Sequence, residues 1–317
     1  MMNNLLVTGG SGFFGRAFVR RALDLGASRV CIYSRGEFQQ AQMREAFNDD
    51  PRLRFFIGDV RDKERLQRAM DGVETVIHAA ALKRVEVGEY NPDELMKTNI
   101  LGAQNVIEAA RAAHVKYVVA LSSDKAAAPA NAYGTSKLMS EKLFLAANNN
   151  RGANGPKFSV TRYGNVAGST GSVIPVWRRL LNEGNTLLPG TDPEATRFWM
   201  TVDEAVDLVL YAIGFETLFV PELPAYRLGD LAQVMCETNP PASSGRFERN
   251  VEWKGMRQGE KLHEAMISED EAHEFLMVGD YFERQLGITE GKLECAFTSD
   301  KARRMTLAEL REALAHV

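Results

Sequence analysis

A chain of 317 residues with 45% hydrophobic content can bury a sizeable core, as one large or two interlocked domains. Its formal charge of −4, with no basic tract and no stacking-rich groove motif, argues against nucleic acid as a partner. Cys31, Cys236 and Cys295 are far apart, odd in number and without metal-ligand spacing, so no metal site is expected and a reducing cytoplasm is the expected compartment. The start, Met1-Met2-Asn3-Asn4, leads into an apolar run with no charged leader, and no apolar segment is long enough to span a bilayer, so a soluble protein without a membrane partner is expected.

Leu5-Leu6-Val7 reads as the first strand. Thr8-Gly9-Gly10-Ser11-Gly12-Phe13-Phe14-Gly15 follows and opens into a helical stretch from Arg16 to Leu23. Strand, glycine turn and helix in that order predict a nucleotide-binding loop. Glycines at 9, 12 and 15 let the backbone turn tightly, approach a pyrophosphate and pack helix on strand, while the free N–H groups of the helix start favour the anion. The candidate cofactor residues here are Thr8, Gly9, Ser11, Gly12, Phe13 and Gly15. The GxxGxxG spacing differs from the GxGxxG of the common dehydrogenases, and an ordinary tight turn is the alternative.

The second strand, Arg29 to Tyr33, ends in Ser34-Arg35, where an NAD site usually presents an acid to the ribose hydroxyls. A hydroxyl plus a guanidinium suits a 2′-phosphate, so NADP is the expected cofactor; Glu37 is the ribose acid on the NAD alternative. Phe55 to Val60 reads as a third strand whose Asp59 either meets the adenine or caps the next helix.

Thr75 to Ala79, a helix from about Asn99 to Ala113, and Tyr117 to Ser122 continue the alternation, which predicts an α/β fold with a parallel, doubly wound sheet of Rossmann type. Asn148 to Gly155 reads as a loop before the strand Phe158 to Arg162. After about residue 170 the regularity declines, and prolines at 189, 193, 221, 224, 240 and 241 suggest looser connections. The expected organisation is an NADP-binding domain over 1–170 and a smaller substrate-binding portion over 171–317, with the chain crossing back between them. There is no internal repeat and no low-complexity segment.

Tyr133 and Lys137 are four apart, so on a helix they share one face. The ammonium is expected to lower the phenol's pKa and to reach a ribose hydroxyl, which makes Tyr133 a general base for a sugar hydroxyl. A YxxxK pair alone is common; here Leu121-Ser122-Ser123-Asp124-Lys125 precedes it at a strand end, on the edge where open parallel sheets bind ligands. For Asp124 and Lys125 the bland alternative is a salt-bridged loop pair that stabilises little.

With these residues in order, the chain resembles the extended short-chain dehydrogenase/reductase superfamily, and more closely the inverting UDP-N-acetylglucosamine 4,6-dehydratases of pseudaminic-acid and related glycan pathways. The resemblance runs from residue 5 to about residue 265. Besides the glycine turn, it is carried by Tyr33-Ser34-Arg35, Phe55 to Asp62, His78-Ala79-Ala80-Ala81-Leu82-Lys83, Glu89-Tyr90-Asn91-Pro92 and Lys97-Thr98-Asn99. Further on it rests on Ser123-Asp124-Lys125, Tyr133 to Lys137, Arg162 to Val166, Thr196-Arg197-Phe198 and Gly259 to Glu264. Retaining dehydratases carry Asp-Glu after the serine or threonine and 4-epimerases carry no such acid, so Asp124-Lys125 resembles the inverting type.

The resemblance implies that Ser34, Arg35, Asp59, Val60, Ala79, Ala80, Ala81, Lys83 and Asn99 join the glycine turn, Tyr133 and Lys137 around NADP. It also implies that Lys83, Asn165, Arg197, Arg257 and Glu260 approach the nucleotide half of the substrate. Tyr133 would take the C4 hydroxyl proton while hydride leaves C4, and Ser123 would hydrogen-bond the C4 oxygen. Lys125, its pKa lowered by burial near Lys137 and the oxidised nicotinamide, would then remove the C5 proton, and Asp124 would protonate the departing C6 hydroxyl. Hydride would return to C6 and a proton to the opposite face of C5, regenerating the cofactor each turnover. His78 is expected to pack beside the cofactor and His263 to order the 259–264 turn.

Gly36, Arg84, Glu86, Thr170 and Gln258 depart from the family pattern. Thr170 stands where an arginine usually lies near the diphosphate, which leaves GDP-N-acetylglucosamine open as the substrate. A UDP-N-acetylglucosamine 4-epimerase is the neighbouring alternative in chemistry; a silent NADP-binding regulator is the remote one, against which Tyr133, Lys137, Asp124 and Lys125 all stand. The resemblance also implies a homo-oligomer.

Overall fold

The computed structural model describes residues 3–238, 250–287 and 289–317. Pro240 and Pro241 lie outside the described residues. Strands β1 (Asn4–Thr8), β2 (Arg29–Ser34), β3 (Leu53–Ile57), β4 (Thr75–His78), β5 (Tyr117–Leu121) and β6 (Lys157–Thr161) are joined in the order β3-β2-β1-β4-β5-β6, every pairing parallel. Leu5, Leu6, Val7, Val30, Cys31 and Ile32 are fully buried, because helices cover both faces of such a sheet and each strand reads as a continuous apolar run. The helices are α1 (Phe13–Asp24), α2 (Glu37–Ala46), α3 (Lys63–Ala69), α4 (Val85–Tyr90), α5 (Pro92–Leu95), α6 (Gly102–Ala112) and α7 (Ala132–Asn149).

The sheet does not stop at β6. The strand Leu218–Pro221 adds to β6 in parallel, Tyr281–Arg284 pairs antiparallel with it, and Phe275–Val278 closes that edge, giving nine strands. The region past residue 170 is more regular than its prolines suggest. It carries helices Val173–Asn182, Leu228–Thr238 and Leu307–Ala315 around a second core that includes Trp177, Leu231 and Leu310, while helix Val202–Tyr211 packs its Ala205, Val206, Leu208 and Val209 into the main core. Pro189 sits inside the strand Leu187–Gly190 and Pro221 ends its own strand, so neither marks a loose connection. Strands of three or four residues are too short to show a period in the sequence.

Two boundaries differ from the sequence reading. The third strand ends at Ile57, which leaves Gly58 and Asp59 in the following loop. The helix expected from Asn99 begins earlier as a π-helical turn, Met96–Leu101, that runs into α6. A π-turn shifts the side-chain register by one residue and carries no sequence period of its own.

Candidate active site

At the carboxyl edge of β1, Gly9 adopts φ +69°, the left-handed conformation that favours glycine. A Cβ at Gly15 would lie 2.5 Å from the Gly10 carbonyl oxygen, and one at Gly10 would lie 2.8 Å from that of Val7. Turn and helix therefore touch backbone to backbone, and Gly10, not singled out in the sequence, is as constrained as Gly15. Gly12 caps α1 without any side-chain hydrogen bond to the first turn, which leaves those N–H groups for an anion.

A cavity of about 690 Å³ opens over this turn. Its lining includes Gly9, Ser11, Gly12, Phe13 and Gly15, then Ser34, Arg35, Asp59 and Val60, then Ala79, Ala80, Ala81 and Lys83. At the other end it takes in Ser123, Lys125, Tyr133, Lys137 and Asn165, together with Ser122 and Tyr163, to which the sequence reading gave no site role. The bare backbone over the first turn of α1 and the length of the cavity suit a dinucleotide diphosphate.

Two residues expected at the cofactor are absent from that lining. Thr8 is buried, its hydroxyl 2.8 Å from His78 Nδ1 and accepting from Ala80 N–H. The Asn99 amide exchanges two hydrogen bonds with the Leu82 backbone and donates to Ser136 Oγ, pinning the segment after β4 to α7. Both act on the cavity wall from behind. Burial, then the Lys137 charge, pushes the His78 imidazolium down to about 3, so this ring is neutral and structural.

Around the second ribose position, Ser34 Oγ accepts from Ser11 Oγ at 2.8 Å and from Gln40 Nε2 at 2.9 Å. Arg35 is exposed, 3.9 Å from Asp59, and Glu37 lies in the first turn of α2 outside the cavity lining. Asp59 does not cap α3; Asp62 does, accepting from Arg65 N–H. Burial pushes the Asp59 carboxyl up, but hydrogen bonds from Arg61 outweigh it and hold the pKa below the usual value.

The residues expected to handle protons lie just after β5 and on α7. Asn131 caps α7 through Gly134 N–H, and Glu89 accepts from Ala132 N–H, which fixes the helix start carrying Tyr133. Lys137, one turn on, donates to the Leu121 carbonyl at the end of β5. Burial lowers its pKa to about 8, with Glu141 opposing.

After β5, Ser123 Oγ donates to Asp124 Oδ1 at 2.8 Å. Lys125 Nζ donates to the same oxygen at 3.1 Å and lies 3.1 Å from Glu264 Oε1. Asp124 is fully buried below the cavity lining, and its Oδ2 has no hydrogen-bond partner among the described residues.

Two electrostatic expectations are reversed. Burial alone would favour the neutral Lys125 amine, but Asp124 and then Glu264 outweigh it, so the pKa is raised rather than lowered. For Tyr133, burial raises the phenol pKa, and the cation pulling it back is Lys125, helped by a hydrogen bond with Ser123. Glu264 was passed over in the sequence because it lies far along the chain; its only signal was its place at the end of Gly259 to Glu264.

Three residues expected at the substrate form a separate polar cluster. Arg197 donates to the carbonyls of Thr196 and Leu262 and, at 3.0 Å, to Glu260 Oε1. Arg257 is exposed and paired with Glu86, and its backbone N–H donates to Glu260 Oε2. Arg197, Arg257 and Glu260 are thus outside the cavity lining that Lys83 and Asn165 share. His263 Nδ1 lies 2.8 Å from Thr196 Oγ1 and ties the 259–264 segment to the strand Thr196–Phe198.

A glycine turn under a cavity, with Tyr133 and Lys137 facing it from one helix, defines a Rossmann-type site of the extended short-chain dehydrogenase/reductase class. The chain belongs to the polysaccharide biosynthesis protein family, whose model matches residues 5–285. It is 48% identical over 276 residues to a UDP-N-acetylglucosamine 4,6-dehydratase (inverting) of Campylobacter jejuni, covering 85% of this chain and 79% of that protein. It is 39% identical to a UDP-glucose 4-epimerase of Rickettsia conorii, covering 98% and 94%. The solved structure of Pen from Bacillus thuringiensis superimposes with a TM-score of 0.92 at 34% identity, covering 100% of this chain and 99% of that one. Among the described residues no helix is long and apolar enough to cross a membrane.

Proposed function

We propose that the protein is an inverting UDP-N-acetylglucosamine 4,6-dehydratase, a lyase working through a bound NADP. The observation that carries this reading is the Asp124-Lys125 pair after β5, in which Lys125 lines the cavity over the glycine turn beside Tyr133 and Asp124 lies buried behind it. The Campylobacter jejuni relative supports it with the substrate in its name.

In this reading Gly9, Ser11, Gly12 and Phe13 hold the diphosphate and Ser34 and Arg35 hold a 2′-phosphate. The nicotinamide supplies temporary storage of the hydride taken from the sugar. Tyr133 accepts the C4 hydroxyl proton, and Ser123 orients that oxygen. Lys137 holds a ribose, and Lys125 adds positive charge near the developing phenolate. Asp124 and Lys125 move the protons of the C5 and C6 elimination. Residues 1–170 form the cofactor portion; 171–317 form the sugar-nucleotide portion, in which Arg197, Arg257 and Glu260 serve the nucleotide. A homo-oligomer in a reducing cytoplasm completes the proposal.

Incubation with UDP-N-acetylglucosamine in deuterated water, followed by mass spectrometry and proton NMR, tests the reading. Loss of one water with deuterium at C5 and inverted configuration is expected. Retained configuration would overturn the inverting assignment. The Rickettsia conorii relative, which spans nearly the whole chain, favours a second reading, a 4-epimerase; a product of unchanged mass and galacto configuration would establish that instead. Turnover of the GDP sugar alone would reassign the nucleotide.

A further inference from the structure

We infer that Glu264 is the second carboxylate of an Asp124–Lys125–Glu264 set, a positioning residue that holds the Lys125 amine aimed into the cavity and sets when it carries a proton. The inference deepens the proposed dehydration and rests on that reading for its catalytic meaning. Its structural basis is separate.

Asp124 lies next to Lys125 in the same turn and follows it wherever that turn goes. Glu264 comes from the other half of the chain. Its Oε1 is 3.1 Å from Lys125 Nζ, and its side chain is only 3% exposed. Its Oε2 is buried with no hydrogen-bond partner among the described residues, so the acid is compensated through Oε1, by Lys125 at 3.1 Å and more distantly by Arg197 Nε at 3.9 Å.

Its backbone is held on every side. Glu264 N–H donates to Ser299 Oγ at 2.9 Å, and Ser299 N–H donates to the Glu264 carbonyl at 2.8 Å. Ser299 Oγ lies 2.6 Å from Thr196 Oγ1. Upstream in the same segment, Lys261 Nζ donates to the Ala127 carbonyl at 3.0 Å, just past Lys125. A carboxylate whose backbone is fixed this firmly, and whose nearest cation is the Lys125 amine with the Arg197 guanidinium farther off, positions that amine rather than following it.

The groups facing Lys125 come from five directions: Asp124 from its own turn, Glu264 and Lys261 from the 259–264 segment, Arg197 from Thr196–Phe198, Tyr133 from α7 and Tyr226 from Ala225–Arg227. Asp124 and Glu264 are the anions named among them, and Arg197 and Lys261 oppose. Removing the Glu264 charge leaves Lys125 with one carboxylate against two cations, so its proton is released at lower pH. Lys125 acts as a base only after its ammonium has given one proton to water, the electron pair staying on nitrogen; that pair then takes the C5 proton while the C5–H electrons move into the enolate of the C4 ketone.

The first test needs no substrate. The full-length protein and its Glu264→Gln and Glu264→Asp variants are acylated with trace acetic anhydride across a pH series, and modification of Lys125 is quantified by peptide mass spectrometry. In Glu264→Gln the midpoint of Lys125 reactivity is expected to fall by at least ~1 pH unit, a tenfold change in proton affinity, and Glu264→Asp to recover part of it. Identical profiles for wild type and Glu264→Gln, with unchanged melting curves, would overturn the inference.

The second test follows turnover. Glu264→Gln is expected to lower kcat tenfold or more with KM within twofold, and to move the alkaline-rising limb of the kcat profile to lower pH. An unmoved limb would count against the proposal. Should wild type fail to dehydrate the sugar nucleotide, the functional reading falls, whereas the acylation profiles still decide the placement of Glu264.

Discussion

Asn131 and Gly259 are joined by a 2.7 Å hydrogen bond from the Asn131 side-chain amide to the Gly259 carbonyl, while the same amide's oxygen caps α7. One side chain thereby sets both the start of the helix carrying Tyr133 and the segment that delivers Glu264. Asn131→Ala should cost about 1–2 kcal/mol, the size of a lost cap, and should lower kcat as well. Asn131→Asp keeps the cap and loses the donation to Gly259, so urea unfolding should show a smaller loss while kcat stays depressed.

Tyr133→Phe removes the phenolic oxygen and little else from a residue that is 8% exposed. kcat should fall by about 10²–10⁴, the range for a lost general base, with KM nearly constant. Because the Tyr133 pKa is raised in the ligand-free protein, the deprotonated form is favoured only toward high pH. Wild-type kcat/KM should therefore climb with pH on its acid side, a limb that Tyr133→Phe abolishes.

Lys137 carries an electrostatic cost. Its pKa falls from 10.5 to about 8 on folding, so the unfolded chain binds the proton more tightly. The penalty is full below pH 8 and is relieved as pH rises toward 10.5. It amounts to about 3 kcal/mol at most, against about 1 kcal/mol for the hydrogen bond to Leu121. Lys137→Met should thus stabilise the protein at pH 7 by about 1–2 kcal/mol while abolishing turnover. The gain should shrink above pH 8 in denaturant titrations.

Arg162 is 1% exposed and bridges Glu141, on α7, to Glu271. Arg162→Met leaves two carboxylates facing each other and should cost about 3–5 kcal/mol at neutral pH. Burial pushes the Glu271 carboxyl up, and the Arg162 charge and hydrogen bonds outweigh that and hold it low. Without the arginine the carboxyl protonates at higher pH, so the deficit measured by calorimetry should narrow on acidification.

Arg35→Ala should weaken NADP binding about tenfold or more and leave NAD nearly unaffected, read by isothermal titration. Equal losses for both dinucleotides would remove Arg35 from 2′-phosphate recognition.

The sequence made the local chemistry legible where neighbours in the chain are also neighbours in space. Gly9, Gly12 and Gly15 bend one turn, Tyr133 and Lys137 share one helix face, and Leu5 to Val7 announce a buried strand by composition alone. What stayed hidden depends on partners brought in from afar. The proton on Lys125 is held by Asp124 together with Glu264, and Glu264 arrives through pairings with distant chain, Ala265 with Thr298 and its own backbone with Ser299. The retreat of Thr8 and Asn99 behind the cavity wall depends on His78 and Leu82, whose positions follow from the assembled sheet. Charge state in particular is a property of the finished enclosure, and no single motif encodes it.

The strand Leu218–Pro221 lies against β6 as β6 lies against β5. The chain before residue 170 and the chain after it are therefore rungs of one ladder rather than beads on a string, joined by main-chain hydrogen bonds along that seam. A fragment ending near residue 170 would bare the flank of β6 as an adhesive border, inviting aggregation. Building this enzyme as two separable modules is thus precluded by its own hydrogen bonding, and its assembly must await chain from beyond residue 217.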